Sequence, residues 1–358
     1  MTISLEVMQT GEISEFIRQA AHEAGFELSG IAQLSDHPEL AYFPEWIGAG
    51  RAGDMKYLES RDDYGRLKRS SPDDTFPWAR SVIVCAINYN TCPTYSTYEH
   101  QPNEGWISRY AWGKEDYHDA VLRRLRSVED ALRATAPEIL TRCYVDTGPI
   151  VERLYAKYAG IGWIGKNTCI LNQKMGSWLF LGVILTSLEP PPDLPAADRC
   201  GTCTRCIDAC PTNAFVGPYE LDATRCISYL TIEKRGSLPE DLREGMGRHV
   251  FGCDICQDVC PWNRKSPVTR AAEFQPREGL VNPALDWLAN ISEEEFRERF
   301  RGSAIKRAKR SGLRRNAVIA MGNSGDQEFV PALENLKADH DPTVAESSQW
   351  ALARLQKS

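Results

Sequence analysis

Residues 200–211 read Cys200-Gly-Thr-Cys203-Thr-Arg-Cys206-Ile-Asp-Ala-Cys210-Pro211, and this spacing predicts the fold of the central part of the chain. Bacterial-type ferredoxins hold 4Fe-4S clusters with such a run, in which three thiolates bind one cluster and the fourth binds the other. A second set follows as Cys253-Asp-Ile-Cys256-Gln-Asp-Val-Cys260-Pro261, and Cys226 lies between the two sets. The eight thiolates suffice for two clusters with four ligands each.

The same crossing rule predicts which cysteines belong together. One cluster is expected on Cys200, Cys203, Cys206 and Cys260, and the other on Cys210, Cys226, Cys253 and Cys256. Structural zinc also favours Cys-x2-Cys pairs, but it does not need this motif twice. Radical chemistry on S-adenosylmethionine would need Cys-x3-Cys-x2-Cys, which neither set contains. The remaining cysteines occur singly and are expected to be buried thiols: Cys85, Cys92, Cys143 and Cys169.

The composition excludes several classes of protein. With 358 residues, 42% of them apolar, the chain is long enough for two or three globular domains. The net charge of -7 means that any affinity for nucleic acid must come from a local basic patch. No apolar run approaches the length of a membrane span, and residues 1–16 lack a signal-peptide pattern, which predicts a cytoplasmic protein.

The segment before the cysteines alternates between helical and strand patterns, which indicates an α/β domain. Helices are predicted over 11–26 and 116–134 and from Pro149 to Ala159, and a strand over 81–88. Two apolar runs, 168–171 and 178–186, resemble a hairpin. The prolines at 190–192 mark a domain boundary, so we predict an α/β domain over 1–190, a ferredoxin-like domain with two 4Fe-4S clusters over 191–275 and a helical region over 276–358.

Five motifs, in this order, resemble those of the epoxyqueuosine reductase family. They are residues 108–118 (SRYAWGKEDYH), 145–153 (VDTGPIVER), 160–168 (GIGWIGKNT), 225–233 (RCISYLTIE) and 252–263 (GCDICQDVCPWN), the first with one extra residue before Asp116. The resemblance covers nearly the whole chain. It implies reduction of epoxyqueuosine to queuosine at the wobble position of tRNA, the last step of queuosine biosynthesis, with electrons passed through two 4Fe-4S clusters to cobalamin. It also implies that the α/β domain binds cobalamin and that an external low-potential donor supplies electrons.

The resemblance further implies roles for individual residues. Asp146 matches the proton donor of the family. The alternative role for this residue is to cap the N-terminus of the helix expected after it. A donor that is protonated near neutral pH needs a raised pKa, which burial beside an apolar corrin face would supply. Cobalamin contacts are implied for Ser108, Asp146, Ile170, Leu181, Ser228, Asp254 and Ile255. The alternative for the aliphatic residues among them is that they belong to the hydrophobic core. No Asp-x-His-x-x-Gly motif is present, and His118 and His249 are expected to be structural.

A basic run and a weak repeat lie near the C-terminus. Residues 297–315 contain nine basic residues against Glu298, and a run of one sign favours phosphate binding over a solvated helix face. The segments beginning at Leu313 and Val344 match in pattern at a spacing of 31 residues, which predicts HEAT-like repeats; two ordinary amphipathic helices are the alternative. The candidate tRNA-binding residues are Lys306, Arg307, Lys309, Arg310, Arg314 and Arg315.

Two other functions fit parts of the sequence. A cobalamin-dependent reductive dehalogenase would pair the same cofactors, but the chain lacks a twin-arginine signal and has the basic run. A non-catalytic ferredoxin-type electron carrier would leave Asp146 and the α/β domain without a purpose. We therefore expect an enzyme, and nothing in the sequence calls for more than a monomer.

Overall fold

The computed structural model describes residues 10–91 and 94–357, which form two compact units. The first unit contains the described part of Met1–Asn90 together with His118–Thr204 and Pro261–Thr269. The second contains Thr91–Tyr117, Arg205–Cys260 and Arg270–Ser358, within the described residues. Each unit is thus assembled from three separate stretches of chain. The division into consecutive domains at 190 and 275 stays a prediction.

The bounds of the helices and strands are as follows. The helices are α1 (Thr10–Glu23), α2 (Tyr42–Gly48), α3 (Pro72–Thr75), α4 (Tyr117–Thr135), α5 (Glu152–Tyr158), α6 (Arg205–Asp208), α7 (Ile227–Ile232), α8 (Glu240–Arg243), α9 (Ile255–Asp258), α10 (Leu285–Asn290), α11 (Glu293–Arg299), α12 (Lys309–Ser324), α13 (Val330–Leu336) and α14 (Pro342–Leu355). The strands are β1 (Leu28–Gln33), β2 (Ser81–Asn88), β3 (Trp106–Ile107), β4 (Thr141–Tyr144), β5 (Trp163–Ile164), β6 (Ile170–Leu171), β7 (Leu179–Thr186), β8 (Phe215–Gly217), β9 (Glu220–Leu221) and β10 (His249–Phe251).

A four-stranded antiparallel sheet of order β1-β2-β7-β4 forms the centre of the first unit. Every residue of β2 is buried, as expected for an inner strand with an almost continuous apolar run. Side chains alternate across a strand, so Gly182 of β7 faces Leu125 of α4, while Val183 belongs to the core cluster that includes Tyr155 of α5. Helices therefore pack on both faces of the sheet, which is the α/β layer expected from the alternating pattern.

The predicted hairpin between residues 168–171 and 178–186 is wrong. The residues of β6 pair with β5, with Trp163 opposite Leu171, whereas β7 lies between β2 and β4. An inner strand must satisfy the hydrogen-bonding groups on both of its edges, and two long partners do this better than the two-residue β6. The run 178–186 therefore pairs within the four-stranded sheet and not with the run 168–171 that precedes it.

The second unit has a mainly helical core. Helix α12 packs against α10 and α14, and α13 packs against α14. The backbones of α12 and α14 approach closely at Gly322, where an added Cβ would lie 2.7 Å from Cα of Ala351. Asn316 of α12 is fully buried, and its side-chain amide donates to the carbonyl oxygens of Thr231 and Val250, at 2.9 and 2.8 Å. These bonds join the C-terminal helices to α7 and β10. None of the helices described is long and apolar enough to cross a membrane.

Candidate active site and cluster ligands

Asp146 lies in a tight turn directly after β4. Its φ of 60° is in the left-handed region, and the next residue, Thr147, donates its backbone N–H to the carbonyl oxygen of Val145 at 2.6 Å. A non-glycine residue in this conformation costs about 1–2 kcal/mol, and such positions concentrate at functional sites. The helix that follows begins at Glu152 with Val151 at its N-cap, so both the helix start at Pro149 and the N-cap alternative for Asp146 are wrong.

Glu152 and Arg69 hold the turn from two sides. The backbone N–H of Asp146 donates to Oε1 of Glu152 at 2.6 Å, and the buried guanidinium of Arg69 donates to the carbonyl oxygen of Gly148 at 2.9 Å. A side chain at Gly148 would overlap the ring of Tyr144, because an added Cβ would lie 2.5 Å from it. The Asp146 carboxylate is therefore presented by a turn with fixed backbone positions.

Three ionisable neighbours set the electrostatics around Asp146. Nε2 of His118, on the first turn of α4, lies 3.5 Å from Oδ2 of Asp146. Burial and the nearby Asp146 carboxylate raise the pKa of Glu152 to about 8. Burial lowers the pKa of Arg69, while Asp146 and Glu152 act in the opposite direction. The Asp146 side chain is itself 67% exposed, so a proton can reach it from outside the turn.

Two of these residues, Glu152 and Arg69, were not expected at the site from the sequence. Glu152 stands inside the 145–153 motif, which was its only signal, and Arg69 had none because it lies far from Asp146 in the chain. His118 was expected to be structural, and the structure places it against Asp146. His249 is buried, and its ring Nδ1 lies 3.1 Å from the carbonyl oxygen of Met246, as a structural histidine would.

Four of the predicted cobalamin contacts lie in one part of the second unit. The buried Asp254 carboxylate accepts from Ser108 Oγ, from the Trp106 indole N–H at 3.0 Å and from the Arg109 backbone N–H at 2.8 Å. Thr231 Oγ1 accepts from the backbone N–H of Gly252 at 2.9 Å and contacts the carbonyl oxygen of Ser228. An added Cβ at Gly252 would lie 2.5 Å from Ser108. Ser108, Ser228, Asp254 and Ile255 are thereby brought together.

The other three residues proposed to contact the cofactor, Asp146, Ile170 and Leu181, lie in the first unit. Ile170 is 5% exposed and belongs to the core cluster beneath the sheet, and Leu181 packs against the same cluster. Their position agrees with the alternative that they are core residues.

The eight predicted cluster ligands are all free thiols, which is the chemistry that iron–sulfur clusters require. Burial raises the pKa of the Cys226 and Cys253 thiols, and the proximity of Cys210 raises the pKa of both further. Three of the four cysteines assigned to one cluster are therefore neighbours. The fourth, Cys256, lies on α9, which packs against α6.

The single cysteines differ in burial. Cys85 is buried as expected, and burial raises the pKa of its thiol to about 12. Cys143 and Cys169 are only half-buried, and Cys92 lies outside the described residues.

The basic run is divided between surface and interior. Lys306 and Lys309 are exposed, Arg310 is half-buried, and Arg307 pairs with Asp116 at 3.3 Å. Arg314 and Arg315 are buried and bonded within the protein. Arg314 pairs with Asp339 at 2.6 Å, and Arg315 donates to the carbonyl oxygens of Leu230, Lys234 and Gly236. Their guanidinium groups hold the helices together and do not face solvent.

The comparisons with family models and with curated proteins all indicate the same family. The family model "Epoxyqueuosine reductase QueG, DUF1730" matches residues 69–147, and "4Fe-4S double cluster binding domain" matches residues 199–263. The chain is 40% identical to epoxyqueuosine reductase from Pseudomonas aeruginosa, over 96% of this chain and 94% of the relative. It is 37% identical to that from Escherichia coli, over 98% and 91%.

Two solved structures extend the similarity to the fold. A crystal structure of epoxyqueuosine reductase with an epoxyqueuosine-modified stem loop of tyrosine tRNA superposes with a TM-score of 0.86 at 31% identity, over 97% of this chain and 91% of that one. A structure of the Bacillus subtilis enzyme, in which the catalytic loop is swung out of the active site, superposes with a TM-score of 0.86 at 30% identity and the same coverage.

Proposed function

The chain belongs to the epoxyqueuosine reductase family, and we propose that it reduces epoxyqueuosine at the wobble position of tRNA to queuosine, with Asp146 as the proton donor. The main support for this activity is the sequence identity of 37–40% to epoxyqueuosine reductases over nearly the full length of both chains. The stem loop bound to the enzyme in one similar structure supports tRNA as the substrate.

The reaction removes one oxygen atom from the substrate. The epoxide accepts two electrons and two protons, both of its C–O bonds break, an alkene forms and the oxygen leaves as water. Cobalamin, when bound, supplies the reduced cobalt centre from which these electrons reach the substrate. The oxygen becomes basic as its bonds to carbon weaken, so an acid must protonate it before it departs.

Asp146 is suited to deliver a proton to this oxygen. Its carboxylate projects from a turn held by Glu152 and Arg69, which limits the positions that it can take. His118 lies 3.5 Å from the carboxylate and can return a proton to it after each turnover. Glu152, whose pKa is raised to about 8 by burial and by the Asp146 carboxylate, accepts the Asp146 backbone N–H and so fixes the position of the donor.

The cofactors would be held by side chains of suitable chemistry. We assign one 4Fe-4S cluster to Cys200, Cys203, Cys206 and Cys260 and the other to Cys210, Cys226, Cys253 and Cys256, from the crossing rule and from the proximity of Cys210, Cys226 and Cys253. Cobalamin would contact Ser108, Ser228, Asp254 and Ile255, which combine apolar surface with a few fixed polar groups, as cofactor sites generally do.

The tRNA would bind through the exposed part of the basic run. We restrict this surface to Lys306, Lys309 and Arg310 together with the exposed Arg297, Arg299 and Arg301, since Arg314 and Arg315 are bonded within the protein. The contact between α12 and α14 supports two HEAT-like units as the scaffold. We further propose that the protein acts as a monomer in the cytoplasm and that an external low-potential donor supplies its electrons.

The decisive experiment uses the holoprotein under anaerobic conditions. The protein with reconstituted clusters and cobalamin is given a low-potential reductant and tRNA carrying epoxyqueuosine, and the nucleoside is analysed by mass spectrometry. We expect loss of one oxygen atom, abolished in Asp146→Asn although the visible spectra of the clusters and cobalamin are retained. Asp119→Asn is the matched control, because it removes an exposed carboxylate on the same α4 that carries His118.

Two outcomes would contradict the proposal. Wild-type turnover in Asp146→Asn would exclude Asp146 as the donor. Bound clusters without any loss of oxygen by the wild-type protein would instead favour an electron carrier.

A further inference from the structure

The β5–β6 hairpin directs two side chains onto the loop that contains Cys200 and Cys203. The indole N–H of Trp163 donates to Sγ of Cys200, with 3.5 Å between nitrogen and sulfur. The ammonium group of Lys166, in the turn of the hairpin, donates to the carbonyl oxygens of Gly201 and Cys203 at 2.7 and 3.0 Å. All of these residues belong to the first unit, and the function proposed for the active site uses neither Trp163 nor Lys166.

The hairpin holds the indole in place. Trp163 is 2% exposed, and its ring stands edge-on to Trp262 with 5.1 Å between centroids. The turn is closed by hydrogen bonds from Gly165 N to Cys169 O and from Thr168 N to Gly165 O, each 2.8 Å. The Trp163 side chain therefore cannot rotate away from the sulfur without opening the packing around it. The cysteine loop adds its own bond, from the backbone N–H of Cys200 to Asp198 at 2.7 Å.

We propose that Trp163 and Lys166 raise the reduction potential of the 4Fe-4S cluster bound by Cys200; this inference rests on the proposed assignment of that thiolate to a cluster. A cluster that gains one electron carries more negative charge on its sulfurs, so a donor aimed at a ligand sulfur stabilises the reduced state more than the oxidised state. The Lys166 cation acts in the same direction and also fixes the ligand loop. Loss of either donor should therefore shift the potential of the cluster bound by Cys200 to a more negative value.

The test is a redox titration of the holoprotein followed by electron paramagnetic resonance, with Trp163→Phe as the variant. Phenylalanine keeps an aromatic ring against Trp262 but has no N–H. We expect the midpoint potential of one cluster to shift to a more negative value and that of the other to stay unchanged. Trp112→Phe is the matched control, since the buried Trp112 indole donates to the carbonyl oxygen of Ile107 at 2.7 Å and not to a sulfur. It should shift neither potential.

Lys166→Gln provides a second variant at a half-buried position that does not depend on indole packing. It should shift the same potential in the same direction. Cys200→Ala, which offers no ligand atom, separates failure of the inference from failure of the ligand assignment. If Cys200→Ala loses the iron of one cluster while Trp163→Phe and Lys166→Gln leave both potentials unchanged, the inference is wrong and the assignment stands. If Cys200→Ala keeps all of its iron, both are wrong.

Discussion

Replacing Arg314 by methionine should destabilise the protein but leave the salt dependence of its tRNA affinity unchanged. The Arg314 guanidinium forms two parallel bonds to the Asp339 carboxylate, at 2.6 and 3.2 Å, and a third to the carbonyl oxygen of Ala289 at 2.7 Å. The two side chains are only 4% and 10% exposed. The ion pair also holds the pKa of Asp339 below its usual range. The substitution would leave the half-buried Asp339 carboxylate with the Asp341 backbone N–H and His340 as partners, so the loss should lie at the lower end of the range for a buried ion pair.

The expected loss follows from this burial. Removing one partner of a buried ion pair typically costs about 3–5 kcal/mol, because the remaining charge is left without compensation. Methionine fills most of the volume of the aliphatic part of arginine, so the cavity contribution is small. We expect a lower midpoint of thermal unfolding, measured at a fixed scan rate on holoprotein with equal cluster content.

Lys306→Met is the matched comparison, since it removes one positive charge of the same basic run from an exposed position. An exposed substitution of this kind should change stability by less than about 0.5 kcal/mol. It should instead lower the slope of log affinity against log salt for tRNA by about one, because one phosphate contact is lost. If Arg314→Met kept the wild-type unfolding midpoint and lowered the salt slope, the reasoning about its burial would be refuted.

Three further changes test other parts of the molecule. Glu152→Gln keeps an acceptor for the Asp146 N–H but cannot ionise; because burial and the Asp146 carboxylate raise the wild-type pKa from 4.5 to about 8, the contribution of this group to stability is present at low pH and is lost as the pH rises from about 4.5 to about 8. The free energy of unfolding should therefore fall over this range in wild type and depend less on pH in the variant, and identical profiles would contradict this. Gly322→Val forces α12 and α14 apart and should cost about 1–3 kcal/mol in thermal unfolding, whereas Gly312→Ala, with 3.9 Å to its nearest neighbours, should not. Cys226→Ala should lower the iron content by about half, because the loss of one ligand removes one of two clusters; full iron content would exclude Cys226 as a ligand.

Local patterns predicted much of the fold and the cofactor chemistry. Thiolate spacing within a few residues is enough to indicate a cluster, and the apolar run of β2 is enough to indicate a buried strand. The segments that begin at Leu313 and Val344 form two helices, α12 and α14, while the HEAT-like repeat stays a prediction. Such features depend on neighbours in the chain, and a sequence displays those directly.

The sequence was a poorer guide to which strands pair and which side chains contact each other. The run 178–186 was correctly expected to be a strand, but its partners are β2 and β4 rather than the run before it. Arg314 and Arg315 look in sequence like the exposed lysines beside them, and only the packing of α12 shows that their charges are used inside the protein.

Short motifs were enough to predict the family, eight cysteines as cluster ligands and an aspartate at the end of a strand, and the comparisons confirm the family. The surroundings of that aspartate could be read only from the folded chain. Glu152, Arg69 and His118 come from a helix start, a 3-10 helix and a different α-helix, and they meet because the sheet and its covering helices bring distant segments together. Electrostatic interaction depends on distance in space and on burial, and neither quantity is a property of position along the chain.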